Sequence, residues 1–122
     1  MSPLSSRVRG ARLEDIAETW LAERGLVREA RNYSCRGGEI DLVMRHGEIT
    51  VFVEVRYRRN STFGTAEESV DFRKQARLIK AARHYLSFEK RNADTACRFD
   101  LMALSGDEHR PSVNWIENAF SA

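Results

Sequence analysis

The sequence predicts a single α/β domain in which a mixed sheet is flanked by helices, with the order helix, strand, strand, strand, helix, strand. Three observations carry that reading. Apolar residues recur at helical spacing from Leu13 to Leu21 and again from Leu78 to Leu86. Between those segments, Gly38 to Arg59 alternates apolar and charged residues at strand period, and Arg98 to Leu104 repeats the strand pattern near the end of the chain. A length of 122 residues suits one core, so residues 1–122 are taken as one domain.

The elements follow in order. Residues 1–9 are polar, with Ser2, Pro3, Ser5 and Ser6, and read as a loose terminus. From Arg12 to Arg24 the stripe Leu13, Ile16, Ala17, Trp20 and Leu21 defines an amphipathic helix that stops at Gly25. Glu14 lies beside that stripe; it is either an early acid favoured by the helix dipole or a group turned toward a neighbouring sheet. Leu26 to Ser34 reads as a strand running into a turn at Gly37-Gly38.

Next come GEIDLVMRH and EITVFVEVRYRR, joined at Gly47-Glu48. Strand period puts Glu39 and Asp41 on one face with Ile40 and Leu42 on the other, and sets Val51, Val53 and Val55 opposite Phe52, Glu54 and Arg56. A two-residue turn pairs residues whose numbers sum to 95, so Asp41 faces Glu54 and Glu39 faces Arg56. Directly opposed side chains have Cβ atoms about 5 Å apart. At an effective dielectric near 20, two carboxylates at that separation repel by about 3 kcal/mol. A divalent cation would remove that repulsion, and hard oxygen donors suit Mg²⁺ or Mn²⁺. The plainer alternative is that the acids are solvated residues on the wet face of a sheet. Acids at alternate positions in two adjacent valine-rich strands, with Arg56 two residues after Glu54, favour the cation.

Beyond the hairpin, Asn60 to Thr65 reads as a loop around Phe63. A second helix then runs from about Glu67 to Phe88, with Leu78, Ile79, Ala82, Tyr85 and Leu86 as its apolar stripe. Its other side carries Arg73, Lys74, Arg77, Lys80, Arg83 and His84. Alone this is an ordinary solvated face. Together with Arg56, Arg58 and Arg59 it makes a basic collar around an acidic centre, suited to gripping phosphates. Arg98 to Leu104 is a strand with Phe99, Leu101 and Ala103 on one face, and Asp100 is either an ion-pair partner or exposed. Trp115, Ile116 and Phe120 in the closing segment read as core packing.

Composition narrows the class. Hydrophobic content of 42% with 31% charged residues describes a soluble globular protein, and no apolar run is long enough to cross a membrane. A net charge of +2 is too small to imply nucleic acid without the local clustering. Cys35 and Cys97 are far apart, without a CxxC or a secretory leader, and read as reduced thiols of a cytoplasmic protein. His46, His84 and His109 lack zinc-site spacing, and no aromatic series suggests base stacking.

The segments GEIDLV, VFVEVRYR, Phe63-Gly64, Val70 with Lys74, AARHYL, RFD and WIENAF, preceded by GARLEDIAETWLAERG, resemble the YraN-like family of small bacterial proteins. That family is similar to the PD-(D/E)XK superfamily, the restriction-endonuclease-like fold, and within it to Holliday junction resolvases. The resemblance implies an α-β-β-β-α-β core and a metal-dependent endonuclease acting on DNA, branched DNA included. A silent nucleic-acid-binding domain of the same fold is the alternative. It further implies that Asp41 and Glu54 hold Mg²⁺ or Mn²⁺, that Glu14 supports the metal from the first helix, and that Lys74 contacts a phosphate. Arg56 stands where the family has lysine. A homodimer would follow by analogy with the resolvases.

Overall fold

A computed structural model describes residues 3–60 and 70–122, with the side chains of residues 3–7 left aside. Helix α1 (Pro3–Ala22) leads into β1 (Val27–Cys35), β2 (Gly38–His46) and β3 (Ile49–Arg58). Helix α2 (Phe72–Phe88), β4 (Cys97–Ser105) and β5 (Ser112–Phe120) complete the chain. The sheet order is β1-β2-β3-β4-β5, antiparallel except for the parallel β3–β4 pair that α2 connects. The fold is the mixed α/β arrangement expected, with a fifth strand where the sequence suggested only packing.

Two helix starts differ from the sequence reading. Helix α1 begins at Pro3, earlier than the apolar periodicity indicates, because a proline suits a helix's first turn and a polar stretch carries no periodic signal. Its register on the body is helped by Arg12, whose guanidinium donates to Glu108 at 2.6 Å. Helix α2 begins at Phe72, not near Glu67: Val70 and Asp71 are non-helical, and the Asp71 carboxylate accepts from the Lys74 N–H at 3.0 Å as an N-cap. The loop around Phe63 and residues 67–69 lie outside the described residues. Edge strand β5 carries Asn118 at φ 53 and a register shift against β4, irregularities that blur its alternation.

The sheet is packed on both faces. One cluster, Phe52, Val43, Ile40 and Phe99, meets Leu78, Ala82, Tyr85 and Leu86 of α2. The other, Leu42, Met44, Val51, Val53 and Met102, meets Ala17 and Leu21 of α1. Ile40 and Leu42 therefore face opposite layers, although strand period alone would put them on one. Alternation breaks at Asp41. In the β1–β2 register Asn32 falls opposite Asp41, and Asn32 sits at φ 54, a conformation that asparagine tolerates better than most residues.

Helix α2 comes unusually near β2 at Gly38. A Cβ there would lie 2.4 Å from the Arg77 carbonyl oxygen and 2.9 Å from the Ala81 nitrogen, so glycine permits the helix backbone to rest on the strand. On the far side, the Asp100 carboxylate is 0% exposed and fully engaged. It accepts from Arg98 Nε at 3.0 and 3.2 Å, from Trp115 Nε1 at 2.9 Å and from the Asn118 N–H at 2.9 Å. Of the two roles the sequence left open for Asp100, it is the ion-pair partner, and it ties β5 to β4.

Candidate active site

The hairpin register is the one that a two-residue turn dictates. Gly47 takes φ 63, and the pairs run from His46–Ile49 to Leu42–Val53, each summing to 95. The next pair in that register is Asp41 with Glu54, and there the backbone ladder ends. A strand that loses its partner must find other acceptors for its N–H groups. The Val55 N–H donates to Asp41 Oδ2 at 2.8 Å, so the aspartate side chain takes over where the strands part. Because the ladder stops, Glu39 does not pair with Arg56; it is exposed, with an oxygen 4.0 Å from the Arg77 guanidinium.

The parting strands leave a recess of about 160 Å³ between the N-terminal half of α1 and the start of α2. Glu14, Glu39, Asp41, Glu54, Arg56 and Lys74 line it, with Leu13, Val55 and Tyr57. Residues from four elements and widely separated parts of the chain thus meet in one small volume. Arg58, Arg73, Arg77 and Lys80 are exposed outside this recess, on the end of β3 and along α2. Arg59 belongs to a separate depression of about 600 Å³, lined among the described residues by Tyr57, Asp107, Glu108 and His109 as well.

The electrostatics of the recess are dominated by crowded acids. Asp41's carboxyl is pushed up from its ordinary 3.8 to about 9, first by its burial and then by hydrogen bonding to and repulsion by Glu54. Glu14 is likewise raised, first by burial and then by the charge of Asp41, against the lowering effects of Asn32 and Arg31. Arg31 Nε donates to Glu14 at 3.3 Å. Asn32 and Arg31, both on β1, are the residues that sequence reasoning missed here. Neither carries a motif signal; only the positive φ that asparagine favours hints at Asn32.

The donor chemistry fits a hard divalent cation. Among the described residues no group of three or more His, Cys, Asp or Glu side chains is arranged to hold a metal ion, so the protein would offer the Asp41–Glu54 pair. Mg²⁺ is commonly held by one or two carboxylates and keeps several waters, which suits such a pair.

Comparison with known proteins then places the chain. The uncharacterised protein family UPF0102 matches residues 13–104, a span from α1 through β4 that includes every residue lining the recess except Gly10. The chain belongs to this family. A UPF0102 protein of Aeromonas hydrophila is 50% identical over 117 residues, covering 95% of this chain and 87% of the relative. Those of Nitrosospira multiformis and Stutzerimonas stutzeri are 49% and 48% identical, each covering 96% of this chain and respectively 96% and 98% of the relative. The kinship read from the motifs thus holds at the level of the UPF0102 family. As for membranes, no helix among the described residues of this UPF0102 chain is long and apolar enough to cross one.

Proposed function

We propose that this protein is a metal-dependent endonuclease of the PD-(D/E)XK type that hydrolyses DNA phosphodiesters, branched DNA among them. One observation carries the reading: two acids from parting strands, Asp41 and Glu54, share a recess with Glu14, Arg56 and Lys74. An acidic pair bordered by cations is the arrangement that a metal-assisted attack on a phosphodiester requires. Asp41 and Glu54 would hold Mg²⁺ or Mn²⁺, and Glu14 would act through water. When bound, the ion supplies Lewis acidity toward a phosphate oxygen and a water.

The chain's own cations complete the site. Arg56 and Lys74 offer donors to the charge that builds on the phosphate oxygens, and the forked guanidinium does so well. Arg56 cannot take up a proton, since arginine's pKa is above about 12. Orientation of the attacking water therefore falls to the carboxylates. Arg58, Arg73, Arg77 and Lys80 are exposed and would grip flanking phosphates, with Arg59 just beyond the end of β3. Two symmetric cuts need two recesses, so a homodimer goes with this reading.

The test is incubation of four-way-junction and linear duplex DNA with the protein in Mg²⁺ or Mn²⁺, beside Asp41→Asn and Glu54→Gln. Metal-dependent cleavage by the wild type, lost in both variants, is the expected result. Cleavage that survives both substitutions would overturn the assignment. Arginine in place of the family's lysine favours one second reading, a silent nucleic-acid-binding domain, which predicts salt-sensitive binding to both DNAs without cleavage.

A further inference from the structure

Helix α2 carries a second surface beyond the recess. Arg73, Arg77, Lys80, His84 and Phe88 follow one another at intervals of three or four residues and so form one stripe along the helix. The stripe runs beside the β1–β2 hairpin: Arg77 reaches toward Glu39, the Lys80 side chain lies over Gly37, and His84 Nδ1 is 2.5 Å from the Tyr33 hydroxyl. At its end the rings of His84 and Phe88 are stacked, with centroids 4.4 Å apart and planes at 28°. Phe88 is nonetheless 65% exposed. An exposed phenyl ring held on an imidazole, which is itself fixed by a tyrosine, offers a rigid aromatic face to solvent.

We propose that this stripe binds an unpaired, single-stranded arm of a nucleic acid, with Arg73, Arg77 and Lys80 following its phosphates and the His84–Phe88 pair receiving a stacked base. The chemistry is specific to that ligand class. Three exposed cations in a row suit a phosphate backbone, and an aromatic face at the end of the row suits a base free of its partner. Fourteen residues separate Lys74 in the recess from Phe88, which at 1.5 Å per residue is about 21 Å of helix. An arm of a few nucleotides spans that distance. The inference rests on the recess reading only for where the cut strand lies; the platform itself is tested without cleavage.

The experiment is fluorescence-anisotropy titration, in EDTA, of a 12-nucleotide oligo(dT) and of a same-length strand whose sugars carry no bases. Wild type binds oligo(dT) more tightly than the abasic strand. Phe88→Ala weakens oligo(dT) binding about tenfold or more and leaves the abasic strand unaffected, while Phe88→Trp restores it. Arg77→Ala with Lys80→Ala weakens both strands and flattens the salt dependence. Thermal unfolding of each variant checks that the fold is kept. Failure of wild type to bind oligo(dT), or equal effects of Phe88→Ala on both strands, would overturn the platform. Neither outcome depends on whether the recess cleaves DNA.

Discussion

Replacing Asp41 by asparagine should make the metal-free protein more stable, by an amount that grows with pH. In the fold the Asp41 carboxyl accepts the Val55 N–H and borders Glu54, and it keeps its proton up to about pH 9. In the unfolded chain it ionises near its ordinary 3.8. Between those two pH values the folded state binds the extra proton, so stability is fully retained below about pH 4 and falls as pH rises toward 9. At 1.36 kcal/mol per pH unit the fall reaches an upper bound of about 7 kcal/mol, with about 4 kcal/mol of it lost by pH 7. Asparagine keeps the acceptor for Val55, offers an amide N–H to Glu54 and never ionises. Allowing for water entry and relaxation around the buried group, Asp41→Asn should gain about 2–4 kcal/mol at pH 7 and nearly nothing at pH 4. Urea unfolding in EDTA across that range measures it, with an unchanged m-value expected. A variant less stable than wild type at pH 7, or a difference that does not vary with pH, would mean that Asp41 is ionised in a structural ion pair and would refute the reasoning.

Other substitutions probe the surroundings. Arg56→Lys should raise Mg²⁺-dependent cleavage about tenfold or more in a single-turnover assay, because lysine supplies an ammonium that can lose its proton; an unchanged rate would show that this position does not limit turnover. Gly38→Ala should destabilise by about 1–3 kcal/mol in denaturant, since its methyl group would have to displace the α2 backbone at Arg77 and Ala81. Asp100→Asn should destabilise by about 1–3 kcal/mol by removing the charged acceptor shared by Arg98, Trp115 and the Asn118 N–H, with Glu117 left as the carboxylate beside Arg98, while metal affinity at the recess stays as in wild type.

Much of the architecture was legible because its signals are local. The two-residue turn at Gly47-Glu48 fixes which residues of β2 and β3 face each other, and that register carries Asp41 toward Glu54. The apolar stripes of α1 and α2 likewise identify the faces that pack on the sheet. What escaped the sequence depends on contacts between distant segments. The end of the β2–β3 ladder is created by a side chain replacing a backbone acceptor, and the break in alternation at Asp41 goes with the backbone of Asn32 on another strand. Gly38 looks like a turn residue, yet what requires it is a helix more than thirty residues later. The exposed stack of Phe88 on His84 is a helical i, i+4 pair hidden within a basic run, and its orientation depends on Tyr33.

Whether Asp41 and Glu54 form a cation site is read by calorimetric titration of Mn²⁺. The titration would be run at pH 6 and pH 8.5, in buffers of differing ionisation enthalpy, on wild type and Asp41→Asn. Because the cation must displace the proton held by Asp41, wild type should bind more tightly at the higher pH and release close to one proton at pH 6 and a smaller fraction at pH 8.5, and the variant should not bind. Absence of binding to wild type, or an affinity that neither pH nor Asp41→Asn alters, would contradict the account.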